Sequence, residues 1–125
     1  MLKYLRMDKC VFCSLSQNEF LFENDLAFAV EDKMPASKGH CLVIPKRHVR
    51  TYFSLTSDEI KAMHELAQKV KQYLDDLYHP DGYNVGFNVE GAGGQSVWHA
   101  HMHILPRYNG DSPHPRGGIR KLTKI

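Results

Sequence analysis

The chain has 125 residues with a formal net charge of +2, and 42% of them are hydrophobic and 24% charged. That is enough chain for one domain burying roughly two-thirds of its unfolded surface, and the mixed charges exclude a disordered acidic or basic tail. So small a net charge, with no long run of one sign, argues against a general nucleic-acid or membrane binder.

The N-terminus carries Lys3, Arg6, Asp8 and Lys9 among apolar residues and lacks the uninterrupted apolar core of a secretory signal. No stretch approaches the ~18 apolar residues of a membrane span, so a cytoplasmic protein is expected. Residues 19–23 and 26–31 are short apolar and aromatic runs on either side of Asn24-Asp25, which predicts a hairpin. Residues 39–44 form a third strand, ended by Pro45. Ile60, Met63, Ala67, Val70, Leu74 and Leu77 recur at spacings of three and four, which predicts an amphipathic helix over 60–78. Thr56 and Glu59 fit a capping box before it, and His79-Pro80-Asp81-Gly82 supplies a stop. A fourth strand is expected over 83–89, then the loop Glu90-Gly91-Ala92-Gly93-Gly94, then a fifth strand over 98–105. The class is α+β: about five antiparallel strands, one long helix, a short helical or turn segment near the N-terminus, and an irregular tail over 109–125. No internal repeat divides the chain, and residues 1–125 read as one domain.

His99, His101 and His103 alternate with Ala100, Met102 and Ile104, the two-residue period of a strand with a polar and an apolar face. Three imidazoles on one surface suit a metal enzyme, since two such histidines can share an ion, or phosphate chemistry. The flanking sequence favours phosphate: the turn Gly93-Gly94-Gln95-Ser96 offers a hydroxyl and free backbone N–H groups, and Pro106-Arg107 follows the histidines. A neutral histidine can attack phosphorus as a nucleophile while its neighbours donate protons and stabilise oxygen charge.

The run Gln95-Ser96-Val97-Trp98-His99-Ala100-His101-Met102-His103-Ile104-Leu105 resembles the signature of the histidine triad family. The resemblance extends through Gly39-His40-Cys41-Leu42-Val43-Ile44-Pro45-Lys46-Arg47-His48 and back to Cys10. It implies that His101 is the nucleophile and that His103 and Ser96 hold the phosphate. By the same resemblance Asn88, Gly94 and Gln95 contact phosphate or the reacting site, and Asp32 binds ribose hydroxyls. Asp32 also reads as a turn residue, and Asn88 and Gln95 equally as backbone-bonding residues.

Of the three cysteines, Cys10 and Cys13 have the spacing of half a zinc site, and redox chemistry is less attractive because no strand precedes them and no helix clearly follows. Zinc-containing family members supply the other ligands from positions like His48 and His99, so the resemblance implies a structural zinc on Cys10, Cys13, His48 and His99. Cys41 reads as a buried strand residue, His64, His79 and His114 as surface residues, and His40 has no assigned role. The implied activity is a nucleotide phosphohydrolase with a nucleotidyl-histidine intermediate and a bias to purines. Gly94-Gln95-Ser96-Val97 is shared with members that cleave nucleoside phosphoramidates, and Pro106-Arg107 with members that hydrolyse dinucleoside polyphosphates such as diadenosine tetraphosphate. Trp98, where many members carry tyrosine or another residue, suggests an altered leaving-group contact, and Pro115-Arg116-Gly117-Gly118-Ile119-Arg120 resembles the tail of many microbial members. The alternative is a nucleotide-binding or scaffold protein without turnover. The resemblance also implies a homodimer, and Leu66, Tyr73 and Leu77 widen the helix stripe beyond what one small sheet covers.

Overall fold

The computed structural model describes residues 9–122. The reading of the first eight residues as lacking a secretory signal therefore lies outside the described residues. Five strands form one antiparallel sheet: β1 (Phe22–Glu23), β2 (Ala27–Glu31), β3 (Cys41–Pro45), β4 (Gly82–Gly86) and β5 (Met102–Arg107), in the spatial order β1-β2-β3-β5-β4. A single long helix, α1 (Ser57–Tyr78), connects β3 to β4. The expected α+β class and strand count hold, with shifts in boundary that have local causes.

The first strand is shorter than 19–23 because Ser16 caps a 3-10 turn over Gln17–Glu19, where Glu19 completes a capping box. The hairpin turns on Asn24, whose Oδ1 accepts from Leu26 N (3.1 Å) and Ala27 N (3.0 Å) while its Nδ2 donates to Ala62 O (3.0 Å) on α1. Helix α1 begins at the capping box read from sequence, with Thr56 accepting from Glu59 N and Glu59 accepting from Thr56 N. Buried Glu59 also takes a two-pronged bond from Arg47 (2.8 and 2.9 Å), which ties the chain after β3 to the helix start. The helix ends at His79, in the left-handed region at φ 53.

The helix buries Ala62, Met63, Leu66, Val70 and Leu74 against Ala27, Ala29, Cys41, Val43 and Ile104. At about 1.5–3 kcal/mol per large apolar side chain, this is the principal core. It lies rotated from the expected stripe: Ile60 and Leu77 are exposed, whereas Leu66 belongs to the chain's own core. The opposite sheet face carries Phe28, Val30, Leu42 and Ile44, all buried, with the partly buried Phe12, Leu15 and Phe20 packed against them. Because Leu42 pairs with His103 in the β3–β5 register, His103 emerges on this second, half-open face.

Gly39 precedes β3 at φ +91, and a Cβ there would come within 2.9 Å of the Tyr78 ring, so only glycine lets the chain pass α1 and present His40. Strand β4 stops at Gly86, short of the expected 89. Strand β5 begins at Met102, four residues later than the expected 98, because Ala100 N donates to Val49 O (2.7 Å) and draws the preceding residues toward the chain that follows β3. The tail is irregular from 108 apart from a 3-10 turn over Gly118–Leu122. No helix of the described residues is long and apolar enough to cross a membrane.

Candidate active site

The three histidines do not share one surface: His101 and His103 line the same cleft, whereas His99, in the irregular chain ahead of β5, is fully buried and turns to Cys10, Cys13 and His48. Each ring is instead oriented by a different backbone or side-chain partner, and those partners fix which nitrogen carries the proton.

His99 is fully buried, and its Nε2 donates to Pro45 O (2.8 Å). A carbonyl only accepts, so the proton of neutral His99 sits on Nε2 and Nδ1 keeps its lone pair. That nitrogen faces Cys10 Sγ (3.4 Å), Cys13 Sγ (3.5 Å) and His48 Nδ1 (3.1 Å), and Cys13 Sγ lies 3.2 Å from His48 Nδ1. The four ligand atoms all fall within 4.8 Å of one another. Around a tetrahedral zinc with ordinary Zn–N and Zn–S bonds, neighbouring donors stand about 3.3–3.8 Å apart, so this donor set fits the ion in chemistry and spacing. Burial holds His99 down to about 4 and, with the adjacent Cys10, raises the Cys13 thiol to about 11. Cys41, by contrast, is buried inside β3 with its thiol pushed up to about 12, and His64, His79 and His114 are exposed.

His101 is 7% exposed, and its Nδ1 donates to His99 O (2.9 Å). The proton of the neutral ring is thereby placed on Nδ1, leaving Nε2 with a free electron pair. Burial lowers its pKa below the ordinary histidine value, which favours that neutral form. Phe12, from the Cys10–Cys13 segment, stands edge-on to both His101 (centroids 5.0 Å apart) and His99 (5.8 Å).

His40, unassigned from sequence, turns out to orient His103. Ala36 N–H donates to His40 Nδ1 (3.0 Å), so the remaining proton of neutral His40 is on Nε2, which lies 3.0 Å from His103 Nδ1 and 3.5 Å from Asp32 Oδ2. Donation to His103 Nδ1 places the His103 proton on Nε2, a buried atom with no partner among the described residues. Burial lowers the pKa of both rings, that of His103 to about 4. Asp32, His40 and His103 also have metal-like spacing, but a metal on His40 Nε2 would force the proton onto Nδ1, against the Ala36 N–H. His40 and His103 instead form a hydrogen-bonded pair behind the Ala36 N–H, with the Asp32 carboxylate beside it. The sequence signal for His40 was its place directly before β3, whose residue Leu42 pairs with His103.

These groups open into a cleft of about 820 Å³ on the half-open sheet face, within the range of small-molecule sites. Phe12, Leu15, Phe20, Val30 and Leu42 give it apolar walls, and Asp32, Asn88, Ser96, His101 and His103 line its polar side. Asp32 combines both expected characters: its Oδ1 accepts from Met34 N (2.9 Å) in a turn while the residue lines the cleft.

The glycine-rich turn differs from expectation. The N–H groups of Gly93, Gly94 and Gln95 donate inward, to Glu90 O, Gly91 O and Glu90 O, and are not free for phosphate. Gln95 is 5% exposed, its Oε1 accepting from Glu90 N (2.8 Å) and its Nε2 donating to Arg50 O (2.6 Å) and Val97 O (3.0 Å). It clamps a loop in which Glu90 sits at φ 60, held also by an ion pair with Arg50 (2.8 Å). Gly94, at φ +93, passes against the Asn88 side chain. Trp98 lies under the Arg50 guanidinium (4.4 Å) and is not among the residues lining the cleft.

The HIT domain profile matches residues 15–110. An uncharacterized HIT-like protein of Mycoplasma pneumoniae is 36% identical over 105 residues, covering 81% of this chain and 73% of that protein. A protein of Arabidopsis thaliana named adenylylsulfatase HINT3 is 32% identical over 106 residues, covering 82% of this chain and 54% of the longer plant protein. The solved structure of a zinc-bound histidine triad family protein from Mycobacterium smegmatis superposes with a TM-score of 0.76 at 30% identity, covering 84% of this chain and 79% of that one.

Proposed function

The chain belongs to the HIT domain family, and on that footing we propose that it is a nucleotide phosphohydrolase working through a nucleotidylated His101. The observation that carries this reading is the bond from His101 Nδ1 to the His99 carbonyl, which leaves a neutral ring with its Nε2 electron pair at the cleft. The plant relative's name, an adenylylsulfatase, supports hydrolysis of an adenylyl compound.

In this reading the apolar walls take the base, and Asp32 Oδ2 accepts from the ribose hydroxyls while Oδ1 stays with Met34 N. His101 Nε2 attacks phosphorus and forms a P–N bond. The bond from phosphorus to the leaving group breaks, and its electron pair departs with that group, which takes a proton from water. The His99 carbonyl stabilises the charge that develops on the His101 ring, and His103 Nε2–H, with Ser96 and Asn88, donates to the phosphoryl oxygens. Water then attacks the same phosphorus. The P–N pair returns to His101, one proton goes to solvent, and a nucleoside monophosphate is released.

Zinc bound by Cys10, Cys13, His48 and His99 would supply a closed structural tie between the N-terminal segment and the histidine-bearing chain, with no open position for substrate. A homodimer is part of the proposal: the outer edge of β4 has no strand partner among the described residues, and Val85, Ile60 and Leu77 are exposed. Sedimentation equilibrium should give the mass of two chains at micromolar concentration, and one chain throughout would refute it.

The covalent step is tested by mixing the protein with a labelled purine nucleoside phosphoramidate and with diadenosine tetraphosphate, then quenching in alkali, which preserves a P–N bond. A nucleotide adduct that maps to His101 is expected. A protein that binds nucleotide tightly and forms no adduct with either compound is a binding module instead.

A further inference from the structure

The turn between Asn88 and Ser96 places a side chain where the backbone least favours one. Glu90 sits at φ 60 and ψ 172, a conformation that belongs almost solely to glycine, although Gly91, Gly93 and Gly94 follow it directly in the same turn. The backbone bonds of the turn do not call for a carboxylate. Gly93 N and Gln95 N donate to Glu90 O, Gly94 N donates to Gly91 O, and a glycine at position 90 would keep all three. What the side chain adds is the ion pair with Arg50 (2.8 Å), whose two groups are 53% and 34% exposed. A pair so open to solvent stabilises a fold by less than such a backbone conformation costs. Judged by stability alone, Glu90 is worse than glycine.

Its place in the fold supplies another use. Asn88 and Ser96, which bracket the turn, line the cleft, whereas neither Glu90 nor Arg50 does. A Cβ on Gly94 would touch the Asn88 amide group at 3.7 Å, so the Asn88 side chain rests against the turn itself. Arg50 ties the turn to the chain that bears the nucleophile. Its guanidinium binds Glu90 and lies 4.4 Å from the Trp98 ring centroid, and its carbonyl accepts from buried Gln95 Nε2 (2.6 Å). Beside it, the Val49 carbonyl accepts from Ala100 N (2.7 Å), between His99 and His101. Resting on the phosphohydrolase reading, we infer that Glu90 and Arg50 are positioning residues for the transfer step, their ion pair holding the strained turn at the spacing that brings Asn88 and Ser96 to the phosphoryl group His101 attacks. Neither touches substrate. Without the pair the turn relaxes, and small shifts of Asn88 and Ser96 weaken their bonds to the phosphoryl oxygens most where charge builds up, in the transition state.

Two variants separate positioning from support of the fold. Glu90→Gly removes the ion pair and the strain together, whereas Glu90→Gln keeps a side-chain oxygen that accepts from Arg50. Their kcat and KM are measured on adenosine 5′-phosphoramidate and diadenosine tetraphosphate, alongside thermal unfolding. In Glu90→Gly, kcat is expected to fall roughly ten- to a hundredfold with KM changed by less than about twofold, while the melting temperature holds or rises. Glu90→Gln should recover most of kcat. A pair that merely supports the fold gives the opposite combination, a lower melting temperature together with the lost activity, and that result overturns the inference. So does a kcat for Glu90→Gly within about twofold of wild type, a loss confined to KM, or an equal loss of kcat in the two variants. Wild-type protein that turns over neither compound and forms no adduct at His101 would sink the phosphohydrolase reading and the positioning role with it, a failure seen before any variant is made and so distinct from the others.

Discussion

Two imidazole clusters grow from one short stretch of chain and differ in what their surroundings ask of each ring. At Cys10, Cys13, His48 and His99 a lone pair converges with two thiols on one point, because the bond to the Pro45 carbonyl holds the His99 proton on Nε2 and leaves Nδ1 free. At Asp32, His40 and His103 the order is reversed: an amide N–H occupies the first lone pair, so protons are handed outward and the last of them, on His103 Nε2, faces the site. Residue type alone does not separate a metal cluster from a donor chain. The backbone group behind each ring does.

The largest effect expected from breaking this contrast is at the ring that serves neither cluster. His101→Ala should lower turnover roughly 10⁴-fold or more while nucleoside monophosphate affinity changes only a few fold, because the lost atom is needed for bond making more than for binding. Steady-state rates with calorimetric titration of the monophosphate decide it, and turnover within tenfold of wild type contradicts the mechanism. Next is the metal cluster. Cys10→Ser or Cys13→Ser should reduce zinc from about one per chain to a small fraction and lower the melting temperature by roughly 10 °C, since a ligand bound only by the folded state stabilises it. Metal analysis of carefully purified protein with thermal unfolding is the check. Protein that lacks zinc, and whose melting temperature ignores added zinc, would leave the four residues without a metal.

The donor chain gives a smaller effect with a more specific signature. His40→Phe removes the Nε2–H that fixes His103, whereas His40→Gln carries an amide donor of similar reach. We expect kcat to fall about ten- to a hundredfold in the first, with KM little changed, and to recover most of the way in the second. Equal losses in the two variants would mean that His40 only fills space.

Signals closed by side chains within one turn survive in the structure, whereas those that depend on distant chain or on a rare backbone conformation do not. Thr56 and Glu59 cap α1 as read, because both partners of a capping box lie within one turn. Asn24 closes the hairpin for the same reason. The end of the strand pattern at His99 and His101 was not legible, because it depends on a bond from Ala100 to Val49, distant in sequence. Nor was the inward turn of the Gly93 to Gln95 amides, which depends on Glu90 adopting a conformation rare outside glycine. The helix stripe was read one step round from its true face, since periodicity admits Ile60 and Leu77 and only the sheet decides that Ala62 and Leu66 go inward. The role of His40 hangs on the loop that brings Ala36 N–H to its ring, and no spacing rule encodes that.

The smallest effect is on stability against pH, and it tests whether the donor chain is neutral in the folded protein. Burial holds His103 at about 4 and His40 below its ordinary value, while the unfolded rings titrate near 6.5. Between those limits the unfolded chain binds more protons than the folded one, so stability is full above about 6.5 and declines as pH falls toward about 4. One histidine contributes at most about 1.4 kcal/mol per pH unit across that window, and because His103 retains some solvent contact we expect about half of that. Denaturant unfolding of wild type and His103→Gln at pH 7.5, 6.0 and 5.0 isolates the term, since the variant lacks this proton site and the zinc ligands are common to both. The wild type should lose stability faster than the variant on acidification. Parallel losses would mean that His103 is already charged in the folded protein, and the proton on its Nε2 would then owe nothing to His40.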